Sequence, residues 1–306
     1  MGTRGNWAHS AVGTAAAAAA SLMLAVVLAV VSAVLTPAGS PAEASSASNS
    51  VEYYLDLGGS ASVGFQPTAA RPSGQPTDTG YANDLVAIER ARWRALQLVQ
   101  FGCPGETTGS FSGGDRCRPA GQSQLSQAVA FLHTHPNTVL ITVDLGFNDV
   151  EPCLAFRTVD QSCLDQRLDL LNDQLPPILA ALRAAAGPKV RIVGVGHYDP
   201  FLGTYLHGGP DLAFSEGSVA AIERLDEALH AIYGAAGIPM ADVGDAFSIA
   251  HNEPVNLAGV GDVPKNVAQT CALTWMCTST SPHAKQHPND AGYQVIAQAI
   301  AAVVPT

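Results

Sequence analysis

Residues 51–65 read VEYYLDLGGSASVGF. An apolar and aromatic run over 51–57 stops at Gly58-Gly59, which is the signature of a buried strand ending in a glycine break. Just past the break stands Ser60. Two β-branched runs repeat the pattern at 139–145 (VLITVDL) and 190–195 (VRIVGV), a weaker one lies at 238–243, and a short strand enters Gly102. Between them, apolar residues recur at helical spacing over 80–96, 125–133, 164–186, 218–234 and 291–304, with Pro176-Pro177 interrupting the third. Strands alternating with helices predict right-handed βαβ units. The expected fold class is therefore α/β, a three-layer sandwich around a central parallel sheet of about five strands.

Composition narrows the function. The 306 residues are 47% hydrophobic and 13% charged, enough to bury the core of one sizeable domain. The net charge of −11 is spread along the chain with no Lys/Arg cluster, which argues against nucleic acid as a partner. Residues 1–44 read as a secretory signal: Arg4, an apolar stretch over 15–35, then Ala42-Glu43-Ala44 as a cleavage site. An uncleaved membrane anchor is the alternative, and both place the rest of the chain outside the cell. A polar linker over 45–50 leads into one domain over 51–306. Six cysteines suit an oxidising compartment. They fall into sequence-local pairs, Cys103 with Cys117, Cys153 with Cys163 and Cys271 with Cys277, and proximity alone suggests that each closes a short loop. Zinc is the rival reading, but no C-x-x-C pair is present.

In open α/β sheets, chemistry gathers at the carboxyl ends of the strands. The first such loop offers Ser60, which alone reads as a cap or turn serine. No G-K-[ST] follows it, and neither G-x-G-x-x-G nor G-x-S-x-G is matched, so nucleotide-binding loops and the usual hydrolase elbow are excluded. The second loop, FGCPGETTG, places Gly105 in a tight turn where its amide can approach a ligand. The third, VDLGFNDV, places the Asn148 amide just past a buried strand. His287 precedes Pro288-Asn289-Asp290 at the start of the last helical run, where the positive end of the helix dipole disfavours the imidazolium. A neutral imidazole is what a general base requires.

A Ser, a Gly, an Asn and a His in that order resemble the SGNH hydrolases, also called GDSL esterases and lipases. GGSASVG stands for the first block of that family, GCPGETT for its second, LGFNDV for its G-x-N-D block and HPNDAGY for the region of its histidine. The resemblance covers roughly residue 53 to the C-terminus and implies the flavodoxin-like SGNH fold. It implies Ser60 as nucleophile, His287 as base, and the Ser60 amide, Gly105 amide and Asn148 side chain as oxyanion donors. The implied function is a secreted esterase or lipase acting on a lipid or small acyl ester, with no metal or organic cofactor. Peripheral contact with a membrane or cell envelope is a further expectation for its partners.

Three positions depart from the family pattern. Gly59 replaces its Asp and Ala61 its Leu, and Ala284 stands three residues before His287 where the family commonly has Asp. A backbone carbonyl from 280–282 is expected to orient His287 instead, with Asp242 or Asp245 as the less favoured source. Two alternatives stay open: a carbohydrate O-acetylesterase on the same site, which the resemblance also allows, and, motivated by Gly59 and Ala284, a catalytically silent cell-envelope binding protein.

Overall fold

The first strand, β1 (Glu52–Gly58), pairs in parallel on one side with β2 (Leu96–Gln100) and on the other with β3 (Thr138–Asp144). Beyond β3 come β4 (Arg191–Val195) and the short β5 (Met240–Ala241), all parallel, in the order β2-β1-β3-β4-β5. This is a computed structural model, and it describes residues 50–155, 157–278 and 285–306. The proposed leader and the carbonyl segment 280–282 lie outside the described residues. The sheet order is the flavodoxin-like one, and its chain reversal falls between β1 and β3.

Helices cover both faces. Among the described residues the α-helices are α1 (Tyr81–Glu89), α2 (Thr108–Gly113), α3 (Gln124–Thr134), α4 (Phe147–Val150), α5 (Gln161–Ala186), α6 (Pro210–Ala235), α7 (Val243–Ala246), α8 (Lys265–Leu273) and α9 (Asp290–Val303). α1 packs on α9, while α3, α5 and α6 pack in series on the other side. An antiparallel hairpin, β6 (Pro254–Leu257) with β7 (Gly261–Pro264), stands apart from the main sheet. Among the described residues no helix is long and apolar enough to cross a membrane.

The helical pattern over 80–96 resolves into α1 and then β2. α1 stops at Glu89, and Trp93 turns inward under Arg92 and Arg191, whose guanidinium carbons lie 5.2 and 5.1 Å from its ring centre. Pro176 and Pro177, expected to interrupt the third helical run, sit inside an unbroken α5. Both prolines are exposed, as are Asn172 and Asp173 four residues before them, so the carbonyls that lose an N–H partner face water. Leu171, Leu175, Ile178, Leu179 and Leu182 are buried along the opposite side and hold the helix on the sheet.

The α1/α9 face of the sheet is polar at its centre. Tyr54 hydrogen-bonds Thr142 at 2.7 Å, and the Tyr81 and Thr142 hydroxyls both donate to one oxygen of Asp56, at 3.0 and 2.8 Å. Burial pushes the Asp56 carboxyl up to about 8, so it is held there largely neutral. On the opposite face the Tyr233 hydroxyl donates to the Val143 carbonyl at 3.1 Å. Its ring fills the space a side chain at Gly194 would need: a Cβ there would lie 2.5 Å from it.

Candidate active site

The loops after β1 and β3 lie side by side at the chain reversal, and the loop after β2 folds over them. The Gly59 amide donates to the Asp144 carbonyl at 3.1 Å, and the Cys103 amide to the Gly58 carbonyl at 3.0 Å. Close approach needs glycine here. A Cβ at Gly58, whose φ is +143°, would lie 2.3 Å from the Asp144 carbonyl oxygen, and one at Gly102 would lie 2.0 Å from the Ser62 hydroxyl. Ser60 therefore stands on a turn fixed from both neighbouring strands.

His287 reaches the same point from just before α9. Its Nε2 lies 2.8 Å from the Ser60 hydroxyl oxygen, and the imidazole is buried against the Phe65 ring, 4.8 Å between centroids. Its backbone is tied down on both sides. The Trp275 amide donates to the His287 carbonyl at 3.1 Å, Asn289 donates to the Leu273 carbonyl at 3.0 Å, and the Tyr198 hydroxyl donates to the Gln286 carbonyl at 2.7 Å. The Cys271–Cys277 disulfide braces the segment that makes the first two contacts. Asp242, weighed as a partner for His287, instead accepts from the Asp245 amide at 2.8 Å and caps α7.

The other expected site residues, Gly105 and Asn148, lie on the loop after β2 and just past β3. Among the described residues, the amides of Ser60 and Gly105 donate to no protein acceptor. Gly105, with φ +81°, makes the turn that leaves its amide unspent. Asn148 Nδ2 donates to the Glu106 carbonyl at 3.0 Å, which fixes its amide and leaves one N–H over. A Cβ on Gly59 would lie 2.8 Å from that same Nδ2, so the Asn148 amide rests against the Ser60 turn. The three disulfides Cys103–Cys117, Cys153–Cys163 and Cys271–Cys277 are formed. Asp115 lies near the first of them, but both sulfurs are covalently spent and no thiolate is left there for a metal.

Ser60, Asn148 and His287, with Gly59 and Ala61, border an open cleft of about 430 Å³, counted with its mouth. Asp144, Phe147, His197, Tyr198 and Gln286 complete its walls. His197 Nε2 sits 3.1 Å from the Leu145 carbonyl, which can only accept, so the neutral ring carries its proton there and turns Nδ1 toward Asp144 at 3.9 Å. Burial lowers His197 to about 4 and raises Asp144 to about 7, so the floor of the cleft holds a neutral imidazole and a carboxyl that is partly protonated near neutral pH. Sequence reasoning did not reach these two, since neither belongs to a motif. The apolar stretch over 198–206 contributes only Tyr198 to the cleft; Leu202 and Tyr205 line a separate hollow with Ile249 and Val267.

In this flavodoxin-like α/β sandwich a hydrogen-bonded serine and histidine stand at the topological switch point of an open parallel sheet. The chain belongs to the GDSL-like lipase/acylhydrolase family, whose model matches residues 57–295. It is an ester hydrolase of that family. The fold is shared with the extracellular lipase of Streptomyces rimosus, at TM-score 0.54 and 18% identity, covering 83% of this chain and 100% of that one. Phospholipase A1 of Streptomyces albidoflavus NA297 is similar at TM-score 0.50 and 16% identity, covering 84% and 100%. The lipase Lip_vut3 from a goat rumen metagenome matches at TM-score 0.50 and 16% identity, covering 82% and 97%. A search of curated protein sequences returned no match.

Proposed function

We propose that the protein is a secreted serine esterase that cleaves short-chain carboxylic esters through a Ser60 acyl-enzyme. The 2.8 Å hydrogen bond between His287 Nε2 and the Ser60 hydroxyl carries this reading. His287 takes the Ser60 proton as the oxygen attacks the ester carbonyl, then delivers it to the departing alcohol. Water then attacks the acyl-enzyme, giving its proton to His287 while the Ser60 oxygen leaves and is reprotonated, which releases the acid. The oxyanion of each tetrahedral intermediate is received by the Ser60 amide, the Gly105 amide and the Asn148 side chain. Removing one such donor costs about 3–4 kcal/mol of barrier stabilisation where this has been measured.

The modest cleft and its polar floor favour short acyl groups over long chains. The same features support a second reading in which the alcohol is a sugar and the acyl group acetyl. A retained but silent site is the weaker reading, because the serine and histidine stay within hydrogen-bond distance. In this reading residues 1–44 are a removed leader and 51–306 the mature catalytic domain.

The test uses the mature chain with p-nitrophenyl acetate, butyrate and palmitate and an acetylated sugar, beside Ser60→Ala and a fluorophosphonate probe. Hydrolysis of acetate and butyrate, with labelling confined to the parent protein, is the expected result. Equal labelling and turnover in Ser60→Ala would remove Ser60 from the mechanism, and palmitate as the best substrate would overturn the short-chain assignment.

A further inference from the structure

Gln124, at the start of α3, is fully buried yet touches none of the proposed reacting groups. Its Oε1 accepts from the Gly58 amide at 2.7 Å, and its Nε2 donates to the Gly58 carbonyl at 3.1 Å and to Glu106 Oε2 at 2.7 Å. The orientation of the amide follows from its neighbours, since a flipped group would set Oε1 against a carbonyl and a carboxyl. Gly58 is two residues before Ser60. Glu106 follows Gly105, and its backbone carbonyl holds Asn148 Nδ2 at 3.0 Å. One side-chain amide thus joins the strand end that carries the proposed nucleophile to the loop that carries one proposed oxyanion donor and orients another.

We propose that Gln124 and the carboxyl of Glu106 act as a positioning pair that sets the spacing between the Ser60 turn and the oxyanion donors, and that their contribution is realised in the transition state. This rests on the roles assigned to Ser60, Gly105 and Asn148 above. A buried amide and carboxyl are costly unless fully hydrogen-bonded, and apolar side chains of similar volume would fill the space without that cost. What the polar pair adds is direction. Glu106 is held from its other side as well: the Ser110 hydroxyl donates to Oε1, and Arg118, itself paired with Asp115, brings Nη1 to 3.9 Å of Oε2. The Gly58 carbonyl also accepts from the Cys103 amide, whose side chain is anchored to Cys117. The linkage is braced at both ends, and a displacement of about 1 Å at a reacting centre is enough to cost roughly a hundredfold in rate.

The first variant is Gln124→Leu, similar in volume and without hydrogen bonds. Its kcat on p-nitrophenyl butyrate is expected to fall about 10- to 100-fold with KM within about threefold, because the loss is in the transition state. Affinity for a boronic acid transition-state mimic falls by the same factor, while affinity for the matching non-hydrolysable amide does not. Glu106→Leu behaves alike, Glu106→Gln recovers most of that loss, and the double Leu variant is no worse than the poorer single one.

Gln124→Glu guards against a variant that does not fold. Its carboxyl shares one proton with Glu106, so the linkage holds until both ionise, and kcat acquires an alkaline fall that the parent lacks. Folded Gln124→Leu with kcat within twofold of the parent, losses that multiply in the double variant, or Gln124→Glu with the parent's pH profile would each overturn the proposal. Fluorophosphonate labelling of parent Ser60 separates the two levels: a labelled parent with unaffected Gln124 variants sinks the positioning pair alone, whereas an unlabelled parent sinks the proposed function and this inference with it.

Discussion

Gly59 stands where the resemblance to the family implies an Asp, and the position has a physical counterpart. Its amide is bonded to the Asp144 carbonyl, and the space where a Cβ would project is taken by the Asn148 amide nitrogen, 2.8 Å away. Gly59→Ala therefore forces Asn148 aside without touching the core. We expect its kcat to drop about tenfold or more, while the melting temperature stays within about 3 °C of the parent. Unchanged turnover would show that Asn148 tolerates the push. Ser60, Gly105, Asn148 and His287 were legible in the sequence because each sits in a short block at a strand end, and the structure brings Ser60, Asn148 and His287 to one cleft with Gly105 on the adjoining loop. Gln124, Glu106, Asp144 and His197 were not. A buried glutamine at a helix start has no pattern of its own, and its meaning arises only from Gly58, 66 residues away.

At the scale of elements, periodicity located the five parallel strands and the long helices, since each buries a run of apolar residues on one side. It failed where local chemistry was overruled. α5 continues through Pro176 and Pro177 because tertiary burial on its leucine side outweighs two missing hydrogen bonds on its wet side. Pro176→Ala restores one of those bonds, offset in part by a more flexible unfolded chain, and should stabilise the protein by about 2 kcal/mol in urea unfolding. A loss of stability would mean that the proline ring is fitted to the bend of the helix. The β6–β7 hairpin went unforeseen for a different reason: its strands are four residues each and half exposed, too short for either period to register.

The whole molecule carries an unusual number of buried acids. Burial raises Asp56 and Asp226 to about 8, and Asp144, Asp199 and Glu106 to about 7, from ordinary values near 4. Each holds in the folded chain a proton that the unfolded chain has already released, so each favours folding at low pH and loses that contribution as pH climbs through its folded value. His197, lowered to about 4, works in the opposite sense but only below about 6.5, where an unfolded imidazole takes up a proton. From pH 6.5 to 8.5 the acids act unopposed by it, and thermal unfolding should shift to lower temperature across that interval; a flat or rising midpoint would count against the buried neutral acids. The three disulfides have a consequence for how such a molecule is made. Their sequence separations are 14, 10 and 6, while strands β1 and β3 meet across 85 or so residues. For a chain threaded out from its N-terminus, the correct mate of the first cysteine is always the next to emerge. Pairing by order of arrival gives the native set, so each loop can be cross-linked without waiting for the sheet to close.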